Sequence, residues 1–491
     1  MNRPLRRVSI AALILFGLLV ANANYVQVFE GDNLRTDSGN TRVLLDEYER
    51  QRGAIVVDGK SLAESRPTND KLKYLRTYPF KAAYAPATGF YSLIYGATGI
   101  EQTDNDLLTG SDNRLFTRRL SDLLTGRDPR GGNVVLTLNR QAQETAYKEL
   151  AGRRGAVVAL DPRSGAILAM VSSPSYDPTL LSSHDPTAIR ANYDKLTSDV
   201  DAPMLDRAIN QAYPPGSTFK VIVSAAALQN GRTPDTVLDC PHRLKLPQST
   251  KELKNFGDET CGADRVPLIT AFTNSFNTAF AKLGMDLGES TIRRQAEAFG
   301  ISDKGFSMPL DVSGSSVGPI TDQAALAQSS IGQRDVKLTP LQGAMIAGAV
   351  ANRGLLMKPY LVKELQAPDL SVLDSTKPEP LNPDQPQAIP AEVAGQLTTM
   401  MTSVVNNGTG KKAQIENVQV AGKTGTAENA PGKQPHAWFI GFAPADNPTV
   451  AVAVVIENAG NENSEATGGE ASAPIARDVI KAILGSQRGG G

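Results

Sequence analysis

The sequence predicts an α+β protein in three parts: an N-terminal membrane anchor at residues 1–28, an α+β accessory unit at 29–154, and a larger unit at 155–491. In the larger unit an antiparallel sheet, assembled from both ends of the segment, is flanked by helices and encloses an inserted helical subdomain. Three observations carry this reading. An apolar run opens the chain behind a cluster of arginines. Short β-like runs separated by Gly, Asp and Asn turns follow it. Beyond residue 155, strand patterns stand at both ends of a long Ala-rich helical stretch.

Arg3, Arg6 and Arg7 precede an apolar run from Val8 to Ala21, with weaker apolar character to Val28. Three readings compete here: an uncleaved anchor, a signal peptide cleaved after the small-x-small sequence Ala21-Asn22-Ala23, and a buried core helix. The leading positive charges favour an anchor with its N-terminus inside, so the rest of the chain is expected outside a cell membrane that it crosses once. In the accessory unit, Gly53 to Val57 and Val134 to Leu138 read as strands. A helical pattern follows at about Arg140 to Leu150. Two apolar runs, Gly155 to Asp161 and Ala166 to Val171, flank the turn Pro162-Arg163-Ser164-Gly165 and predict a hairpin that opens the larger unit. Helices are expected at Val221 to Leu228, Leu341 to Ala351 and Ala391 to Val405. Strands return at Gln419 to Thr424, His436 to Phe442 and Thr449 to Ile456, and a last helix lies near Ala473 to Leu484. The Pro-rich stretch from Pro378 to Pro390 reads as a surface loop.

Composition excludes several function classes. Lys plus Arg (50) balances Asp plus Glu (51), and no basic stripe is interleaved with aromatics, so nucleic acid is not an expected partner. The two cysteines, Cys240 and Cys261, form a disulfide candidate in an oxidising compartment, with two unpaired thiols as the alternative. Together with His242 they do not make a zinc ligand set.

The sharpest local feature is Tyr213-Pro214-Pro215-Gly216-Ser217-Thr218-Phe219-Lys220, directly before an apolar helical run. Ser217 at a helix start puts Lys220 one turn away on the same face. A serine hydroxyl needs an adjacent base, and a lysine serves when burial or a neighbouring cation lowers its pKa. Alone, the pattern more often describes a helix cap and an exposed lysine. Two further elements change the odds: Ser275-Phe276-Asn277 in a loop, and Lys423-Thr424-Gly425-Thr426 at a strand end. Gly425, having no Cβ, would let a ligand lie against the strand backbone.

In this order the three elements resemble the S-x-x-K, S-x-N and K-T-G set of penicillin-binding proteins and serine β-lactamases. Ser330-Ile331-Gly332-Gln333, Thr339-Pro340-Leu341-Gln342 and Ala351-Asn352-Arg353-Gly354 are similar to the stretch between the second and third motifs of the transpeptidases. Arg52-Gly53-Ala54-Ile55 resembles the opening of the non-catalytic domain of class B penicillin-binding proteins, and Gly155 to Pro178 the entry to their transpeptidase domain. Coverage is nearly the whole chain. The resemblance is strongest to the penicillin-binding protein A type of mycobacteria and related actinobacteria.

That resemblance implies a D,D-transpeptidase acting on peptidoglycan stem peptides and acylated by β-lactams. Ser217 is then the nucleophile, Lys220 its base, and Ser275 and Lys423 the proton relay and local cation. Asn277 binds the substrate amide, Gly425 lines the groove, and Thr424 and Thr426 bind the carboxylate. No cofactor and no metal are required. The resemblance also implies a polytopic glycan polymerase and division or elongation machinery as partners. A D,D-carboxypeptidase, a β-lactamase or a β-lactam sensor of the same fold is the alternative. A Ser-His-Asp hydrolase is disfavoured, because Ser217 is not in a G-x-S-x-G elbow and only His184, His242 and His436 exist.

Overall fold

A computed structural model describes residues 2–28, 30, 47–126, 130–247, 250, 252–428, 433–461 and 464–489. The expected start of the accessory unit at Phe29 lies outside them. Helix α1 (Asn2–Val28) opens the chain. Within its stretch Arg3–Gln27 an 18-residue window has a mean hydropathy of 1.8 and is not buried, so the helix is long and apolar enough to cross a membrane. This is compatible with a single membrane anchor.

Strands β1 (Ile55–Val57), β2 (Lys60–Pro67), β3 (Tyr74–Thr77) and β4 (Asn133–Leu136) follow, then helix α2 (Arg140–Leu150) and the hairpin β5 (Gly155–Leu160) and β6 (Ile167–Ser173). Next come α3 (Lys220–Gln229), α4 (Leu268–Thr273), α5 (Asn277–Leu287) and α6 (Pro340–Ala351). Strands β7 (Val362–Gln366) and β8 (Val372–Ser375) lead to α7 (Ala391–Asn406). The chain closes with β9 (Ala421–Ala427), β10 (His436–Ala443), β11 (Val450–Ile456) and α8 (Ala473–Gly489).

These strands form two main sheets. The first has the order β8-β7-β4-β1-β2-β3, with β1 and β4 parallel and the other pairs antiparallel. The two strands at one edge, β8 and β7, come from residues 362–375, far along the chain. Arg52, at the entry to β1, is buried against Glu101, which also receives Arg76; both ion pairs measure 2.6 Å. The second sheet is antiparallel throughout, with the order β9-β10-β11-β5-β6.

The second sheet is covered on both faces, and its sequence shows why. On β5, Ala156, Val158 and Leu160 join one core while Val157 and Ala159 join another, the two-residue period of a strand with no wet side. One face packs on α6, every residue of which is buried. That helix is apolar all round, as a central helix must be. The other face packs on α2 and α8. Helix α6 starts where its sequence dictates: Thr339 Oγ1 accepts from Gln342 N–H at 3.1 Å, and Pro340 occupies the first helical position.

Cys240 and Cys261 are joined as a disulfide. A closure of this length stabilises the fold by roughly 3 kcal/mol in the chain-entropy account.

Candidate active site

Ser217 lies in a 3-10 turn, Gly216–Phe219, that runs into α3 at Lys220. A 3-10 turn eclipses residues three apart, so Ser217 and Lys220 share one side. Ser217 does not cap the helix: the cap positions of the turn and of α3 are Pro215 and Phe219, and neither makes a side-chain cap bond. The turn is clamped from several directions. Tyr213 pairs with Leu338 through two backbone bonds of 2.9 Å, and Trp438 Nε1 donates to Pro214 O at 3.0 Å. Gly216 N–H donates to Gly332 O at 2.9 Å. Gly332 has a φ of +72° and a Cβ there would strike Gly216 O, so this position requires glycine. None of the backbone hydrogen bonds among the described residues uses the Ser217 N–H.

Ser275 sits between α4 and α5 with a φ of +62°, a left-handed conformation that costs a non-glycine residue about 1–3 kcal/mol. Asn277 is the first residue of α5, and so it is not in the non-helical loop expected; the helix starts one residue after Phe276. The left-handed turn brings both polar groups to the lysines. Lys220 Nζ lies 2.7 Å from Ser275 O, 2.8 Å from Asn277 Oδ1 and 3.2 Å from Ser275 Oγ. Lys423 Nζ lies 3.0 Å from the same Ser275 Oγ and 3.0 Å from Thr424 O.

Both lysines are fully buried. Burial, reinforced by the neighbouring Lys423 cation, pulls Lys220 well below the usual lysine value. Burial alone brings Lys423 down to about 7. Each amine also faces an aromatic ring, Phe280 at 5.3 Å and Phe272 at 5.6 Å, which tempers the cost of the charged form. A neutral Lys220 has two N–H donors and one lone pair. The two carbonyl oxygens take the donors. The lone pair is left for a hydroxyl proton, and Ser275 Oγ is the hydroxyl that both amines reach.

The expected K-T-G strand end proves to be the middle of β9. The role expected of Gly425 also changes. Its missing Cβ admits no ligand: a Cβ there would lie 2.6 Å from Pro215 O, 2.9 Å from Thr218 Cγ2 and 3.1 Å from Trp438 Cβ. Glycine at this position therefore lets the serine turn seat against the strand. We expect Gly425→Ala to push that turn aside, lowering stability by about 1–3 kcal/mol and slowing acylation by up to ~10²-fold. Thermal unfolding and penicillin acylation check this; wild-type values in both would refute the close approach.

Residues 155–481 match the family described as penicillin binding protein transpeptidase domain, and residues 52–134 match the penicillin binding protein A dimerisation domain. The chain belongs to the penicillin-binding protein transpeptidases, in class B. It is 50% identical to the peptidoglycan D,D-transpeptidase PbpA of Mycolicibacterium smegmatis and 48% identical to PbpA of Mycobacterium tuberculosis, over 99% of each chain in both cases. The solved structure of M. tuberculosis penicillin-binding protein A as a ceftriaxone acyl-enzyme complex is 47% identical, superposes with a TM-score of 0.87, and is covered completely by 90% of this chain.

Within this penicillin-binding fold, sequence reasoning missed several neighbours of the site. Thr409 Oγ1 lies 2.6 Å from Thr424 Oγ1, occupying a hydroxyl that the sequence reserves for substrate. Thr426 remains part-exposed, its Oγ1 3.5 Å from the Gly468 N–H. Glu457 ties the turn to β11 by accepting from Tyr213 Oη and Arg207 Nε, both at 2.8 Å. A threonine between two glycines and a lone glutamate carry no sequence signal of such roles. The three histidines are engaged elsewhere: His184 with Asp70, His242 with Asp258, and buried His436 with the Asn458 N–H.

Proposed function

We propose that this chain is a peptidoglycan D,D-transpeptidase that cross-links stem peptides through an acyl-enzyme on Ser217 and is inhibited by β-lactams. The observation that carries it is the Ser275 hydroxyl held between two buried lysine amines, at 3.2 and 3.0 Å, beside the Ser217 turn.

Lys220 takes the Ser217 proton, and Ser217 Oγ forms an ester with the penultimate D-Ala carbonyl. The amide bond to the terminal D-Ala breaks, and the proton passes to the leaving amine through Ser275, with Lys423 sustaining positive potential. The Ser217 and Thr426 N–H groups receive the oxyanion. Asn277 binds the substrate amide, Thr424 and Thr426 the carboxylate, with Thr409 steadying Thr424 and Gly425 seating the nucleophile's turn. The amine of a second stem peptide then attacks the ester, forming the cross-link and returning the proton to Ser217.

Among the described residues no carboxylate bonds Lys220, Ser275 or Lys423, which favours transfer to an amine over rapid hydrolysis. The test is the fate of the acyl group. Benzylpenicillin is expected to leave a long-lived adduct, and a D-Ala-D-Ala stem peptide with an acceptor amine is expected to yield cross-linked product. Steady penicillin turnover would make the chain a β-lactamase, and hydrolysis without transfer a carboxypeptidase.

In the same reading the parts are an anchor at 1–28, an accessory unit at 29–154 and a transpeptidase unit at 155–491, the last two outside the cytoplasmic membrane. The apolar helix α1 supports the anchor. Contact of the accessory unit with a polytopic glycan polymerase and the division or elongation machinery is supported by family membership alone.

A further inference from the structure

Helix α5 carries Asn277 at its first position, yet the preceding Phe276 offers no side-chain acceptor to the helix's unpaired N–H groups. The acceptor arrives from elsewhere. Asn255 Oδ1 takes the Thr278 N–H at 3.1 Å and lies 3.4 Å from Thr278 Oγ1, across 23 residues of chain. Asn255 is 3% exposed, and its other amide atom is occupied too: Nδ2 donates to Glu259 O at 3.1 Å and lies 3.4 Å from Cys261 Sγ. Its neighbour Lys254 accepts from Asn277 Nδ2 through its carbonyl at 3.4 Å. The Cys240–Cys261 bridge packs against the same turn, with sulfur atoms 3.7 and 4.0 Å from Thr278 Oγ1.

We propose that Asn255 is a positioning residue for acyl transfer: by capping α5 from outside, it holds Asn277 so that its Oδ1 stays on the Lys220 amine. This rests on the roles given above to Ser217, Lys220 and Asn277. The disulfide steadies Asn255 in turn, because the bridge and the Glu259 carbonyl fix the side of the amide facing away from the helix. Loss of the cap lets the first turn fray, and Asn277 then leaves both the amine and the substrate amide.

The test uses the full chain in detergent with benzylpenicillin, separating the non-covalent dissociation constant from the acylation rate constant. Asn255→Ala is expected to lower the rate constant about tenfold, the scale of a lost cap and a displaced reacting group, and to weaken the dissociation constant by a smaller factor through the lost amide contact of Asn277. Asn255→Asp keeps the accepting oxygen but gives up the Nδ2 bond to Glu259 O, and so recovers part of the rate. The proposal is overturned if Asn255→Ala acylates at the wild-type rate, or if its loss matches only the unfolded fraction and Asn255→Asp does not recover it. A wild-type chain without a Ser217 adduct would bring down the enzyme reading and the proposal together, whereas a normal wild-type adduct with an indifferent Asn255→Ala removes the proposal alone.

Discussion

Ser217→Ala, exposed to benzylpenicillin, should show no covalent adduct by intact-mass analysis, while the wild-type chain gains one. The physical ground is that among the described residues no other hydroxyl combines the features of Ser217. It stands in a turn clamped by Trp438, Leu338 and Gly332, so its position is fixed before substrate arrives. It shares a face with a buried amine and has an uncommitted N–H on its own backbone. Ser275 is the nearest competitor, but both lysine amines already hold its oxygen. Removing a nucleophile costs at least ~10³-fold, since what remains is binding and oxyanion stabilisation alone. An adduct of equal yield on the variant would move the chemistry to another residue.

Lys220→Arg is expected to slow acylation by about 10²–10⁴-fold, the range supplied by general base catalysis. Arginine keeps a cation at this position but cannot give up its proton in the working pH range. The variant therefore separates a base from a charge. If Lys220 served only as a charge, the rate would survive. The wild-type pH profile gives the same information: acylation falls on the acid side as Lys220 gains a proton, at a pH well below the usual lysine value because burial and Lys423 oppose the charge. An acid limb centred near 10 would refute the assignment. Stability follows the same sign as that of a paired carboxylate, whose folded value is also lowered. Between the folded value of about 7 for Lys423 and its ordinary 10.5, the unfolded chain holds the extra proton, so stability rises with pH across that window.

Much of this was legible in the sequence, and the exceptions have physical reasons. The hairpin of β5 and β6, helix α6 and strands β10 and β11 are long apolar runs bounded by turn residues, and local pattern locates them within a residue or two. Strand β9 runs two residues later than expected at its start and continues to Ala427. Its limits are set by pairing with β10, as Ala421 opposes Phe442 and Ala427 opposes His436. The three motifs meet, yet the partners of Lys220 are Ser275 and Asn277, fixed by a left-handed residue that sequence does not announce. Strands β7 and β8 were not read at all. Their alternation is brief, and their partner β4 lies more than 200 residues earlier, a distance over which local pattern is silent.

That pairing has a consequence for how the molecule is divided. Residues 362–375 complete a sheet whose other four strands lie before residue 137, so a fragment ended at Arg154 would leave the hydrogen-bonding flank of β4 bare. A bare strand flank is an invitation to aggregate. The halves are interlaced like clasped hands, so a cut between them at Arg154 divides one sheet and not two independent cassettes.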